Sequence, residues 1–199
     1  MKQPDVRTAA LILAAGFGSR LRSAGSKPLL PCSGKTFLEL VVEIVIEIKL
    51  NPVIVVTNEI FFSDIKKLKL PIKTVINKTP EKGMLSSILI GLEEIKKKCD
   101  GFFLCPIDYP LVKLFSYQTL LSVFDENPEH IIKPQFKKKS GHPIIFPKIF
   151  FDELKKAPNE QGARYVTNKF SHQTSFVNVH DPGILININT PQLYKKYCK

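Results

Sequence analysis

Residues 11–31 read Leu-Ile-Leu-Ala-Ala-Gly-Phe-Gly-Ser-Arg-Leu-Arg-Ser-Ala-Gly-Ser-Lys-Pro-Leu-Leu-Pro, an apolar run that ends in small residues and is followed by two spaced cations. This composition suits a loop that wraps a polyphosphate. Gly16 and Gly18 allow a close backbone approach, and bare N–H groups around Ala14, Ala15 and Ser19 offer an anion nest. Arg20 supplies a planar fork for phosphate oxygens and Lys27 a compact point charge. Further on, Gly83-Met84-Leu85-Ser86-Ser87 opens an apolar helical pattern, where hydroxyls and free N–H groups can bond a polar ligand or simply cap the helix. In Pro106-Ile107-Asp108-Tyr109-Pro110, Asp108 follows an apolar strand pattern. A carboxylate there lies on the ligand side of an open parallel sheet and suits Mg²⁺ shared with substrate phosphates, although an Asp before a turn is also ordinary turn chemistry.

Two better-known phosphate loops fail on spacing. A dinucleotide fingerprint needs a small residue three positions after the second glycine, and that position is Leu21. A P-loop needs Gly-Lys-Ser or Gly-Lys-Thr, and neither follows.

These residues need a scaffold, and the hydropathy pattern supplies one. Apolar runs at 9–13, 53–57, 73–76 and 101–105 alternate with amphipathic helical segments at 36–50, 59–70 and 84–98. In the first helix Phe37, Leu40, Val41, Ile44 and Ile48 form the expected inward stripe. Strands alternating with helices predict a three-layer α/β/α fold around a mostly parallel sheet. Beyond Pro110 the pattern predicts a helix at 115–124, strands at 130–134 and 143–146 around a basic turn at 137–141, and helices at 148–155 and 162–170. Strands at 175–179 and 183–188 and a last helix from Pro191 complete it. Nothing resembling a linker or repeat interrupts the chain, so residues 1–199 read as a single domain.

The 199 residues are enough to bury a core. No apolar run reaches the length of a spanning helix and residues 1–8 carry no leader pattern, so a cytoplasmic protein is the default. The net charge of +11 comes from dispersed lysines at helix ends and in loops, without interleaved aromatics. This reads as a solvated basic surface that attracts anionic substrates, not as a nucleic-acid footprint or a membrane-binding face. Cys32, Cys99, Cys105 and Cys198 lie far apart, indicating neither a zinc site nor a disulfide framework.

Taken in order, the motifs resemble the nucleotidyltransferases of the nucleotide-diphospho-sugar transferase fold, whose loop reads Leu-Ala-Ala-Gly-x-Gly-x-Arg and then Lys with Pro or Leu. The match is at Leu13, Ala14, Ala15, Gly16, Gly18, Arg20, Lys27 and Leu29. The 83–92 segment is similar to that of the cytidylyltransferase branch, including the molybdenum cofactor cytidylyltransferases. The Asp-x-Pro at Asp108, the Asn-x-Asn-Thr-Pro at Asn187–Pro191, Gly141-His142-Pro143 and Gly162-Ala163-Arg164 fall in that family's order. The resemblance implies a metal-dependent transfer of CMP from CTP to a phosphorylated acceptor such as molybdopterin, with release of pyrophosphate. Arg20, Lys27 and Asp108 would be catalytic. Leu13, Ala14, Ala15, Gly16, Gly18, Ser19, Arg20 and Lys27, with Gly83, Ser86 and Ser87, would hold the nucleotide. Asp108 and Asn189 would hold Mg²⁺ or Mn²⁺, and His142 and Arg164 would border the acceptor. It also implies an acceptor-processing enzyme as partner for product hand-over.

Departures from the family pattern keep alternatives open. Seven positions separate Arg20 from Lys27, and the Lys-Pro-Leu-Leu-Pro texture resembles sugar-1-phosphate nucleotidylyltransferases using UTP or CTP. Transfer of GMP to molybdopterin is a third enzymatic reading. Asn at both polar positions of the terminal motif also fits a nucleotide-binding regulatory protein without turnover.

Overall fold

The computed structural model describes residues 7–18, 21, 26–95 and 99–198. In chain order these give β1 (Thr8–Ala14), β2 (Pro31–Cys32), β3 (Lys35–Thr36), α1 (Phe37–Glu47), β4 (Val53–Thr57), α2 (Glu59–Lys67), β5 (Lys73–Ile76), α3 (Met84–Ile95) and β6 (Gly101–Pro106). Then follow α4 (Leu114–Glu126), β7 (Ile131–Phe136), β8 (Lys139–Ser140), β9 (Ile144–Pro147), α5 (Phe151–Lys156), α6 (Ala163–Lys169), β10 (Thr174–Asn178) and α7 (Pro191–Cys198).

The main sheet runs β10-β7-β9-β6-β1-β4-β5, with β8 paired to β7 outside that path. β1 lies parallel to both neighbours, with Leu11 opposite Ile54 on one side and Leu104 on the other. β9 is antiparallel to β6 and to β7, and β10 returns parallel to β7. This is the mostly parallel α/β/α architecture that the alternating pattern predicts.

β1 is buried over its whole length because it is covered on both faces, which is why it reads as a continuous apolar run. Its pleat sorts the core into two layers. Ala10, Ile12 and Ala14 pack with α1, α2, α4 and α7, while Ala9, Leu11 and Leu13 pack with α3, α5 and α6. In α1 the fully buried stripe is Phe37, Leu38, Val41, Val42 and Val45, with Leu40, Ile44 and Ile48 only partly covered. The expected stripe is therefore rotated. The sequence FLELVVEIVIE is apolar on most sides, so periodicity alone does not fix its inward face.

The chain from 183 to 188 is not a strand. Pro182–Leu185 form a 3₁₀ turn. Pro182 lacks an N–H, and the fully buried Asp181 carboxylate accepts from Gly183 N at 2.8 Å, which favours a turn over a ladder. The other Asp181 oxygen accepts from Lys113 N and Ser116 Oγ, tying this turn to the start of α4.

The cysteine expectation also needs correction. Cys32 and Cys198 form a disulfide between the β2–β3 hairpin and the end of α7, across 166 positions of sequence. No local spacing signals such a pair; it follows from α7 packing on the hairpin, where Tyr194 Oη also donates to Pro31 O at 2.8 Å. Cys99 and Cys105 are free and buried. Burial pushes their thiols up to about 11 and about 12, which makes both poor nucleophiles at neutral pH.

Two loops at the carboxyl edge of the sheet are held by one side chain. Asn58 is buried just after β4, where its Oδ1 accepts from Phe61 N and caps α2, while its Nδ2 donates to Ala15 O at 2.8 Å. Asn58→Ala removes a cap and leaves a carbonyl unpaired, and is expected to cost about 2 kcal/mol in urea unfolding; a midpoint equal to wild type would refute the role. For the disulfide, titration of the unfolded chain is expected to find two free thiols before reduction and four after it; four without reductant would refute the bridge.

Candidate active site

Among the described residues, the loop Ala15–Gly18, the serines Ser86 and Ser87, and Asp108 follow the carboxyl ends of β1, β5 and β6, where an open parallel sheet presents its loops to ligands. β1 ends at Ala14, and Ala15-Gly16-Phe17-Gly18 turns over the sheet edge. Gly18 has φ +58°, a conformation that favours glycine, and Leu21 N donates to Gly18 O at 2.7 Å to close the turn. A Cβ built on Gly16 would meet nothing within 4 Å, so no packing within the described protein demands glycine there. Ser19 and Arg20 lie outside the described residues.

Lys27 opens a short 3₁₀ turn, Lys27–Leu29, that brings the chain back towards the sheet. Its Nζ lies 3.3 Å from Asp108 Oδ2, across 81 positions of sequence, with 11% and 19% of the two side chains exposed. Asp108 is placed there by β6, since Ile107 N donates to Leu13 O at 3.1 Å and docks the Asp108 turn beside the glycine loop. The two catalytic residues predicted at distant positions therefore share one mostly buried ion pair. A cation and a carboxylate so placed can be redistributed by an incoming anion and a metal: the ammonium to phosphate oxygen, the carboxylate to the ion.

The terminal motif arrives at the same place. Ile188 N donates to Asp108 O at 2.7 Å, which brings the 187–189 segment against the Asp108 backbone. Asn187 presents a buried Oδ1 with no partner, and its amide bonds the Tyr109 hydroxyl. Burial pushes the Tyr109 hydroxyl up, partly opposed by that bond.

The donor set tests the expected metal. Among the described residues no three His, Cys, Asp or Glu side chains cluster as a self-sufficient metal cage. One carboxylate, Asp108, with the orphaned amide oxygen of Asn187 and the nearby Asn189, suits a hard ion that keeps most of its ligands from phosphate and water. Such residues fit Mg²⁺ or Mn²⁺ arriving with a nucleotide.

Ser86 and Ser87 sit in the first turn of α3. Both hydroxyls accept from Asn77 Nδ2, at 2.8 and 2.9 Å, and Ser87 is buried. Asn77 itself is fully buried just past β5, and its Oδ1 accepts from Thr79 N. This asparagine and Asn58 are the residues that sequence reasoning missed. Each is a lone amide directly after a strand, and that position is the signal that could have found them.

His142 and Arg164, 22 residues apart, line one cavity of about 750 Å³ that also takes in Gly83, Pro106, Tyr109 and Lys133. His142 packs at a tilt against Tyr109, with ring centroids 4.8 Å apart and the ring planes at 47°, and its buried Nδ1 has no partner. Burial holds its imidazole down to about 4, against the opposing pull of Asp108, so it is neutral at pH 7. Gly141 is needed by packing: a Cβ there would lie 2.0 Å from Ile184 O. The cavity thus reaches the start of α3 at Gly83–Leu85 and the flanks of the Asp108 turn at Pro106 and Tyr109, a volume suited to a small molecule.

Comparisons with known proteins show the family and the fold. The bifunctional protein GlmU of Buchnera aphidicola subsp. Acyrthosiphon pisum is 30% identical over 161 residues, 76% of this chain and 34% of its own. The chain thus spans about a third of the length of the curated relatives it matches. Among solved structures, Rv0371c of Mycobacterium tuberculosis H37Rv superposes with a TM-score of 0.79 at 19% identity, covering 96% of this chain and 97% of the other. That protein has also been solved in complex with manganese. CMP:2-keto-3-deoxy-manno-octonic acid synthetase complexed with CTP gives 0.74 at 14% identity, covering 96% of both chains. At these identities the structures show the shared fold. Residues 10–174 match the model of the MobA-like NTP transferase domain. The chain belongs to the MobA-like NTP transferase family.

Proposed function

We propose that this nucleotidyltransferase moves CMP from CTP onto the phosphate of a small acceptor, molybdopterin being the expected one, and releases pyrophosphate. The observation that carries the reading is the Lys27–Asp108 pair, 3.3 Å apart beside a glycine loop whose Gly16 faces open space. That openness is what a close-lying phosphate requires. An acceptor oxygen attacks the α-phosphorus in line, the bond from that phosphorus to the bridging oxygen breaks, and the electron pair leaves with pyrophosphate. Lys27, with Arg20, offsets the charge that grows on the phosphates; Gly16 and Gly18 cradle them through the backbone. Asp108, with Asn189 or Asn187, holds Mg²⁺ or Mn²⁺, which when bound supplies Lewis-acid polarisation of the phosphates. Ser86 and Ser87, held by Asn77, face the base and ribose, and the segment's likeness to the cytidylyltransferase branch supports cytosine. A nucleoside triphosphate donor also supports a cytoplasmic setting with hand-over to an acceptor-processing enzyme.

A second reading takes UTP or CTP with a phosphosugar or phospho-alcohol. It is favoured by the long interval between Arg20 and Lys27. Calorimetric binding of CTP, UTP, GTP and ATP with Mg²⁺ separates the base assignments. CTP is expected to bind tightest; clear preference for GTP would overturn the base assignment.

Pyrophosphate release over a panel of phosphorylated acceptors tests turnover itself. Lys27→Ala is expected to lower turnover about 100-fold while changing CTP affinity much less. Wild-type turnover in that variant would refute the role of Lys27, and absence of release with every acceptor would favour a regulatory nucleotide binder.

A further inference from the structure

The Cys32–Cys198 bridge joins the far ends of two segments that both meet Asp108. One segment begins at Lys27, whose Nζ lies 3.3 Å from Asp108 Oδ2, and reaches Cys32 through the Lys27–Leu29 turn and β2. The other begins at Ile188, whose N–H donates to Asp108 O at 2.7 Å, and reaches Cys198 through Asn189, Thr190 and α7. Bridge and segments thus form one ring that closes on Asp108.

The two segments are not held equally well. The hairpin is anchored without the bridge: β2 pairs with β3, Phe37 N donates to Leu30 O at 3.0 Å, and Phe37 and Leu38 just beyond it are fully buried. α7 has 8 residues. Isolated helices shorter than roughly 12–15 residues are marginal in water. The one buried side chain of α7 is Tyr194, which donates to Pro31 O at 2.8 Å and packs on Phe37 with ring centroids 6.1 Å apart. Leu193, Tyr197 and Cys198 are only partly covered. The disulfide therefore carries a large share of what keeps α7 on the hairpin. The sulfurs also differ in access: Cys32 is 1% exposed, while Cys198 is half-buried. An incoming thiolate reaches Cys198 first, and Cys32 is the leaving sulfur.

We propose that this bridge is a dithiol-exchange site that controls the nucleotide–metal site through Ile188 and Asp108. The thiolate of a dithiol attacks Cys198 Sγ, the Cys32–Cys198 bond breaks, and Cys32 leaves as a thiolate that takes up a proton. The second thiol of the reductant attacks the mixed disulfide, Cys198 leaves and is protonated, and the reductant closes its own disulfide. An electron pair and one proton per sulfur pass to the protein, and the dithiol is oxidised. With the bridge open, α7 is released and the 187–189 segment loses its tether to the hairpin, while the Lys27 segment stays anchored. Oxidation tightens the site and reduction relaxes it. In the cytoplasmic setting proposed above, a disulfide is more often redox-sensing than structural. The proposal rests on the reading of Lys27, Asp108 and the 187–189 segment as the nucleotide–metal site.

The test is hydrogen exchange without ligand, together with calorimetric binding of CTP with Mg²⁺, on the full chain before and after reduction by dithiothreitol. Reduction is expected to speed exchange at Ile188 and through α7 about tenfold, with β1 and α3 unchanged, and to weaken CTP binding about tenfold. Reoxidation should restore both. Cys198→Ser is expected to match the reduced chain in both measurements and to be indifferent to dithiothreitol. Equal protection of Ile188 in the two redox states would overturn the proposal, as would equal CTP affinity once thiol titration shows the bridge open. Loss of protection throughout the chain, β1 included, would also overturn it, since the bridge would then be a staple of the whole fold. If the oxidised chain binds no nucleotide, the site reading falls, and the exchange measurement still decides whether the bridge is coupled to Ile188.

Discussion

β1 is the constraint on which the rest of the molecule depends. It lies between β4 and β6 in parallel register, and all of its side chains are buried. A strand held in this way has no freedom of register: a slip of one residue would exchange Leu11 and Ile12 between two differently packed layers. With β1 fixed, the carboxyl ends of β1 and β6 are fixed beside each other. The glycine loop and the Asp108 turn leave from those ends, so strand pairing sets the Asp108 turn beside the start of the glycine loop.

The parallel half of the fold was legible because its strands are apolar runs and its helices carry clear boundaries. Thr36 and Glu39 form a reciprocal capping box at the start of α1, and Asn58 caps α2. The later half was harder to read. The turn at Lys137 and Lys138 was visible as a polar cluster between two apolar runs, but β10 reaches its place only by pairing with β7, and nothing local in Thr174–Asn178 specifies that partner. The segment after Asp181 misled for a related reason. Ile184, Ile186 and Ile188 alternate as in a strand, yet Pro182 and the Asp181 carboxylate commit the first turn to 3₁₀ geometry, and the extended remainder binds the Asp108 carbonyl instead of a ladder.

The candidate site was readable where Gly16, Lys27 and Asp108 stand at motif spacing, and the fold brings Lys27 within 3.3 Å of Asp108. It was not legible where an ordinary residue acts through a contact that only folding creates. Asn58 and Asn77 look like turn residues in sequence. In the fold, each spends one amide on two elements at once: Asn58 on the glycine loop and α2, Asn77 on the 79 turn and the serines of α3. The disulfide is the same case at longer range, since Cys32 and Cys198 become neighbours only once α7 lies against the hairpin.

The glycines show how protein packing can be separated from ligand demand. Gly91 and Gly141 are required from within, because a Cβ would lie 2.1 Å from Leu11 Cδ1 and 2.0 Å from Ile184 O respectively. Gly18 is required by its positive φ. Gly16 is required by neither, since its φ lies outside the left-handed region and a methyl carbon there would meet nothing within 4 Å. Its glycine is therefore set neither by packing among the described residues nor by backbone conformation, unlike Gly18, Gly91 and Gly141. Lys27 and Asp108 face one another at 3.3 Å, a pair that satisfies two mostly hidden charges within the fold.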